Sequence, residues 1–249
     1  MRRVLRVLGW LLAVVVVALV VLFLAVRHPQ PERGETGPAA DALAHAVEQS
    51  VDAAAWARTG AVRWTYSTGT LHHLWDRQRN LDRVSWGDQL VLLDVAKKTG
   101  RAYTNGKEVE GDEKAKLVDK GYKRFINDSF WLNPLPKLFD DGVTRSVVQL
   151  DGKPALYVQY ATGGVTPGDA YLWILGDDHR PVAWRLFVQI LKVRGLQGTW
   201  EGWTTLSTGA VISTAHKMLG LTTVRITDLA GAATLSELEP GPDPFAPLR

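Results

Sequence analysis

The chain of 249 residues has six His, 26 Asp and Glu, and no Cys with which to do chemistry. Without Cys there is no disulfide framework, no thiolate metal site and no cysteine nucleophile. His72 and His73 are adjacent, and neighbours along a strand point to opposite faces, so they cannot readily share a metal ion. His216 lies beside Thr214, on the face of Ile212 and Met218, where a hydrogen-bonded inner residue is expected. It is also the one starting point for a catalytic reading. Asp140-Asp141-Gly142 and Asp177-Asp178 have the composition of turns, not the setting of a general acid–base pair. The run from Gly163 and Gly164 through Val165, Thr166 and Pro167 to Gly168 is glycine-rich. It lacks the Lys-Ser/Thr of a phosphate loop and reads as a long turn. G-x-S-x-G, H-E-x-x-H and EF-hand spacings do not occur. The expectation is a protein that is not an enzyme and needs no cofactor and no metal.

Aromatic residues carry more information than titratable ones. Ten Trp are many for this length, and a buried indole N–H wants an acceptor. Several recur with period two, the signature of one strand face. Val182, Trp184, Leu186, Val188 and Ile190 form one such stripe. Val62, Trp64 and Tyr66 form a second, Tyr171, Trp173 and Leu175 a third, and Val224 and Ile226 a fourth. Together Val62, Trp64, Tyr66, Tyr171, Trp173, Val182, Trp184, Leu186, Val188, Val224 and Ile226 are expected to line one hydrophobic concavity. Two readings stay open at this point: a filled core, or a cup that holds an apolar ligand.

Elements must place those stripes. Residues 39–58 carry Leu43, Val47, Val51 and Ala55 at helical spacing, giving one apolar face. From Val62 onward short runs alternate with turn signals: 62–66, 71–75, 81–86, 90–95, 101–104, 144–150, 155–160, 171–175, 182–190, 199–206, 210–218 and 222–229. Asn105-Gly106 and Asp151-Gly152 are hairpin turns. Residues 112–126 interrupt the meander with a rough helical stripe, and Pro134 and Pro136 stop any long helix beyond it. Phe130, Trp131 and Leu132 lie among turn formers, as a lid or plug at the mouth of a concavity would, or as a corner docked into the core. Leu43, Val47 and Val51 with Phe130, Trp131 and Leu132 are the expected lid residues. The fold class is thus mainly β (α+β): a strongly curved antiparallel sheet, a half or unclosed barrel of about 10–12 strands, with a leading helix and a mid-chain helical lid.

Residues 7–26 are an uncharged, mostly aliphatic run, and about 20 such residues span the ~30 Å hydrocarbon core of a bilayer. Its length and the unsuitable Leu24-Ala25-Val26 end favour an uncleaved transmembrane helix over a cleaved signal. Arg2, Arg3 and Arg6 precede it. That places the N-terminal residues 1–6 in the cytoplasm and the bulk of the chain in the periplasm, anchored in the bacterial inner membrane. Residues 27–38 read as an extended linker, 39–231 as the folded domain, and 232–249 as a loose Pro-rich tail. The net charge of +3 comes from the membrane flanks. Five of the 29 Lys and Arg fall in residues 1–33 against one of the 26 acids, leaving 24 basic and 25 acidic side chains beyond them. That balance is no footprint for nucleic acid.

A leading amphipathic helix, a long meander with a helical excursion, and the stretch NDSFWLNPLPKLFDDGV followed by GGVTPGDAYLWIL resemble the LolA/LolB-like lipoprotein carriers. The resemblance spans residues 38–231. It implies an unclosed barrel whose apolar concave face, covered by helices, takes lipid or lipoprotein acyl chains as partners. The chain departs from the family in its N-terminal helix and in having no Cys to carry a lipid, so the shuttle role is not implied. A lid-locking residue is not implied either. The alternative is an envelope sensor or protein-interaction module with a packed, ligand-free core.

Overall fold

In the computed structural model, residues 2–67, 69–162, 165–191 and 193–249 are described, as are the side chains of α1 (Arg2–Val26) other than those at 2–7, 9, 19, 20, 22 and 25. Gly163 and Gly164 of the glycine-rich run lie outside these residues. Among the described residues no helix is long and apolar enough to cross a membrane.

After α1 the chain forms α2 (Pro38–Ser50) and α3 (Ala53–Arg58), then a meander of β1 (Ala61–Tyr66), β2 (Leu71–Asp76), β3 (Leu81–Trp86), β4 (Gln89–Asp94), β5 (Thr99–Thr104) and β6 (Lys107–Val109). The long helix α4 (Gly111–Leu132) and a 3-10 turn at Leu135–Lys137 follow. The second meander is β7 (Val143–Leu150), β8 (Lys153–Tyr160), β9 (Asp169–Leu175), β10 (Pro181–Phe187), β11 (Leu196–Thr199), β12 (Glu201–Thr205), β13 (Val211–Met218) and β14 (Thr222–Ala232). A short α5 (Leu235–Leu238) and a 3-10 turn at Ala246–Leu248 end the chain.

All the strand pairs are antiparallel and form one open sheet in the order β6-β5-β4-β3-β2-β1-β14-β13-β11-β10-β9-β8-β7, with β12 pairing β13 beside this path. The β1–β14 pairing joins the two meanders, and β6 and β7 are the edge strands, β7 bridged at Val147 by Glu35. The sheet has 14 strands, two more than the sequence pattern resolves. One addition is three-residue β6, beyond the Asn105-Gly106 turn. The other is β11, separated from β12 where Trp200 leaves the ladder to bury its ring.

Both faces of the sheet are covered. Helices α2, α3 and α4 pack on the concave face, where two apolar compartments form. The convex face is the surprise. Residues 28–35 are not a free linker but a strap across β11, β8 and β7. His28 Nδ1 hydrogen-bonds the Gly195 carbonyl at 2.9 Å, Gln30 donates to the Tyr157 hydroxyl, and Glu35 bridges Val147 in both directions. Gly34 permits the approach: a Cβ there would fall 1.9 Å from the Val147 carbonyl oxygen. Beneath the strap Ala155, Tyr157, Ala170, Leu172 and Phe187 form a small core. On the other half the C-terminal residues pack rather than trail. Phe245 is fully buried against Leu74 and Leu92, and Asp243 pairs with Arg79 at 2.7 Å. Pro fixes this segment's backbone without preventing it from docking.

Candidate functional site: an aromatic cup closed by one helix

Ten of the eleven expected cup residues lie on the concave side, split between two compartments. Val62, Trp64 and Tyr66 on β1 and Ile226 on β14 are buried in the first, with Val224 half-buried against it. Tyr171, Trp173, Trp184, Leu186 and Val188 are buried in the second. Val182 is the correction. The β9–β10 register slips between Pro181 and Ala183, so Val182 leaves the alternation and is 48% exposed. Ile190 lies past the end of β10 and is 70% exposed.

The expected lid residues also reach the concave side, from two elements. Val47 and Val51 are buried in the second compartment, and Leu43 packs against it. Phe130, Trp131 and Leu132 belong to α4 itself, which continues six residues past the end of the apolar stripe at 126 and stops before Pro134. Leu132 fills the first compartment, Phe130 the second, and Trp131 touches both. The Phe130 ring sits 5.0 Å from Tyr171 and 5.6 Å from Tyr160, and Trp131 meets Trp184 edge-on at 4.8 Å. The last turn of α4 is therefore a plug of aromatic rings in an aromatic cup.

The second compartment has a poor hydrogen-bond balance for a dry core. Trp173, Trp184 and Trp200 pack tilted and edge-on with ring centroids 5.0–5.2 Å apart, and none of their indole N–H groups finds an acceptor. The Tyr160 hydroxyl and His216 Nε2 are equally without partners. His216 is fully buried, 4.4 Å from the Trp200 ring, with Nδ1 donating to the Thr199 carbonyl at 3.2 Å. Burial pushes its pKa down to about 4, against the pull of the Thr199 and Trp131 backbone, so the ring is neutral. Each buried polar group left unpaired costs about 1–3 kcal/mol, and native cores hold few of them.

In the first compartment the structure brings together residues that sequence reasoning separated. His73 is fully buried, its Nδ1 3.1 Å from Asp82 and its Nε2 3.0 Å from Asp128 on α4. Trp64 stacks on the imidazole at 4.4 Å. Burial opposes the charge, but the charges and hydrogen bonds of Asp82 and Asp128 outweigh it and raise the His73 pKa to about 9. The imidazolium thus donates to both carboxylates, tying α4 to β2 and β3. Burial in turn raises the Asp82 pKa, against the pull of His73. The signal was present in the strand pattern: Leu71, His73 and Trp75 share one face, as do Asp82, Val84 and Trp86. His72 points the other way, to Thr65.

Arg77 closes the end of α3. Its Nη1 donates to the carbonyls of Trp56 and Thr59, and its guanidinium lies 4.2 Å from the Trp56 ring and 5.3 Å from that of Trp75. Burial lowers its pKa to about 10. A cavity of about 420 Å³ opens beside it, lined also by Ser129, Asn133 and Pro136. A second, of about 690 Å³, lies between α4 and β5, lined by Thr99, Val118 and Tyr122. The first lies beside the end of α4 that bears the plug and the second along its N-terminal half, and the rings of the plug itself interdigitate with those of the cup. No group of His, Asp and Glu among the described residues has metal-binding geometry.

No protein-family model and no curated protein matches the chain. Among the solved structures it is similar to are two that align with most of its length. A DUF1329 family protein from Desulfovibrio piger is 12% identical, with 82% of this chain and 96% of that one covered and a TM-score of 0.42. A putative outer membrane lipoprotein-sorting protein domain from Vibrio parahaemolyticus is 8% identical, with 82% and 98% covered and a TM-score of 0.34. At these values neither carries an argument about function, which rests on the site.

Proposed function

We propose that this protein is a membrane-anchored, non-catalytic binder of a hydrophobic ligand, a lipid or lipoprotein acyl chain, held on the concave face after the α4 plug moves aside. The observation that carries the reading is that the indole N–H groups of Trp173, Trp184 and Trp200 and the Tyr160 hydroxyl lack acceptors around one aromatic compartment, as the indoles of Trp64, Trp75 and Trp86 do in the other. A fatty acyl ester or carboxylate supplies what they lack, an apolar chain for the rings and acceptor oxygens for the N–H groups. Phe130 and Trp131 sit together on the last turn of one helix, so a shift of that turn would withdraw both rings.

The anchor rests on α1. The described residues of α1 do not by themselves make a membrane-crossing helix; the anchor is read from the full sequence, whose uncharged 7–26 stretch has the ~20 residues that the ~30 Å hydrocarbon core needs. The described apolar side chains of α1 lie exposed, Trp10 by 74% and Leu12 by 66%, as lipid-facing residues do. The positive-inside rule then puts the sheet on the periplasmic side of a bacterial inner membrane.

Quenching of Trp fluorescence by a nitroxide-labelled fatty acid tests the cup. Saturable quenching is expected in the wild type, with several-fold tighter binding in Phe130→Ala/Trp131→Ala. Absence of saturable quenching in both proteins contradicts the reading. It would favour the rival one, a packed sensor or interaction module, which draws on the interdigitated rings.

A further inference from the structure

The strap fixes where the sheet sits relative to α1. That helix ends at Val26, and two residues later His28 is hydrogen-bonded to Gly195 in the β10–β11 turn. The turn is packed closely on the strap: a Cβ at Gly195 would meet the His28 carbonyl oxygen at 2.2 Å. The β13–β14 turn lies beside it, since Leu219 N–H donates to the Gln197 carbonyl at 3.3 Å and Gly198 pairs with Met218.

These two turns are the greasy part of the surface. Ile190 is 70% exposed and Leu221 82%, with Leu219 at 38%. Outside α1, six large apolar side chains are exposed among the described residues. Four of them, Phe139, Ile190, Leu219 and Leu221, lie in connections at this one end of the strands, whereas Val165 lines the cavity beside α4 and Val182 lies at the other end. Arg27, Arg194 and Lys217 stand exposed around the two turns, and none makes an ion pair among the described residues. Apolar tips ringed by free cations suit one partner, an anionic bilayer surface.

We infer that the β10–β11 and β13–β14 turns dip into the bilayer that holds α1, seating the open rim of the sheet on the membrane. This rests on α1 crossing that bilayer. The rim leads inward: Leu191 and Met218, next in sequence to Ile190 and Leu219, pack against the aromatic compartment, as does buried Val188. An acyl chain leaving the bilayer at this rim would meet these apolar side chains first, on the way to the cup.

The absence of Cys makes the test clean, because one introduced thiol is one label. Full-length Ile190→Cys, Leu221→Cys, Val17→Cys and Asp177→Cys, each carrying an environment-sensitive fluorophore, are reconstituted in phosphatidylethanolamine/phosphatidylglycerol vesicles containing nitroxide-labelled lipid. Position 17 reports α1, and 177, almost fully exposed on the opposite end of the strands, reports the aqueous side. Quenching several-fold stronger at 190 and 221 than at 177 is expected, together with quenching at 17. Quenching at 17 with 190 and 221 no different from 177 overturns the rim and leaves the anchor standing. No quenching at 17 overturns the anchor and the rim with it.

Discussion

His73 shows how much a single side chain can do here. Its imidazolium is shared by carboxylates 9 and 55 residues away, one on the sheet and one on the covering helix. Removing one partner of such a buried set costs roughly 3–5 kcal/mol, so Asp128→Ala is expected to lower stability by about that much in urea unfolding. The pH dependence has a definite sign. The folded-state pKa, about 9, lies above the ordinary 6.5, so the stabilisation is complete below pH 6.5 and is lost as pH rises through 9. Unfolding midpoints should fall across that window in the wild type and change less in His73→Gln. His216 works in the opposite direction: its pKa drops from 6.5 to about 4, so its burial costs stability as pH falls below 6.5. His216→Phe is expected to flatten that acid limb. Alternation alone reveals that Trp64, Trp173 and Trp184 point inward. It cannot reveal that His73 meets Asp128, because their distance is set by tertiary packing. It also misplaced Val182, because a register slip of one residue moves a side chain to the other face.

At the scale of elements, α4 is held by shape as well as charge. Gly121 faces β3 and β4, where a Cβ would sit 3.2 Å from Val84 and 3.3 Å from Val91. A larger side chain must push the helix off the sheet. Gly121→Val is expected to leave the sheet folded by circular dichroism while raising binding of a fatty-acid probe several-fold. Unchanged probe binding in a folded variant would show that α4 does not gate the cup. The helix runs past the end of its apolar stripe although Asn127, Asp128 and Ser129 are weak helix formers. The Asp128–His73 contact and the docking of Phe130 and Trp131 override that local preference. The strap and the tail were illegible for a related reason: Pro-rich, polar composition describes a backbone without regular hydrogen bonds, not one without contacts. Deleting residues 233–249 uncovers Leu74 and Leu92 and removes the Arg79–Asp243 pair. A drop in melting temperature of several degrees is expected in differential scanning fluorimetry.

For the molecule as a whole, the antiparallel meander, its leading helix and its mid-chain helical cover were readable from period and turn residues. The order of the sheet was not, since it depends on β1 closing against β14 across most of the chain. That closure makes one trough from two meanders, with the strap and tail on its convex side and the helices α2, α3 and α4 on its concave side. The central claim is that an acyl chain occupies the trough beneath α4. A photoactivatable fatty acid, crosslinked to the full-length protein in vesicles and mapped by peptide mass spectrometry, tests it most directly. Label concentrated on the segments bearing Trp173, Trp184 and Trp200, and displaced by excess unlabelled fatty acid, is the expected result. Label confined to α1 and the outer surface, with those segments clean, would contradict it.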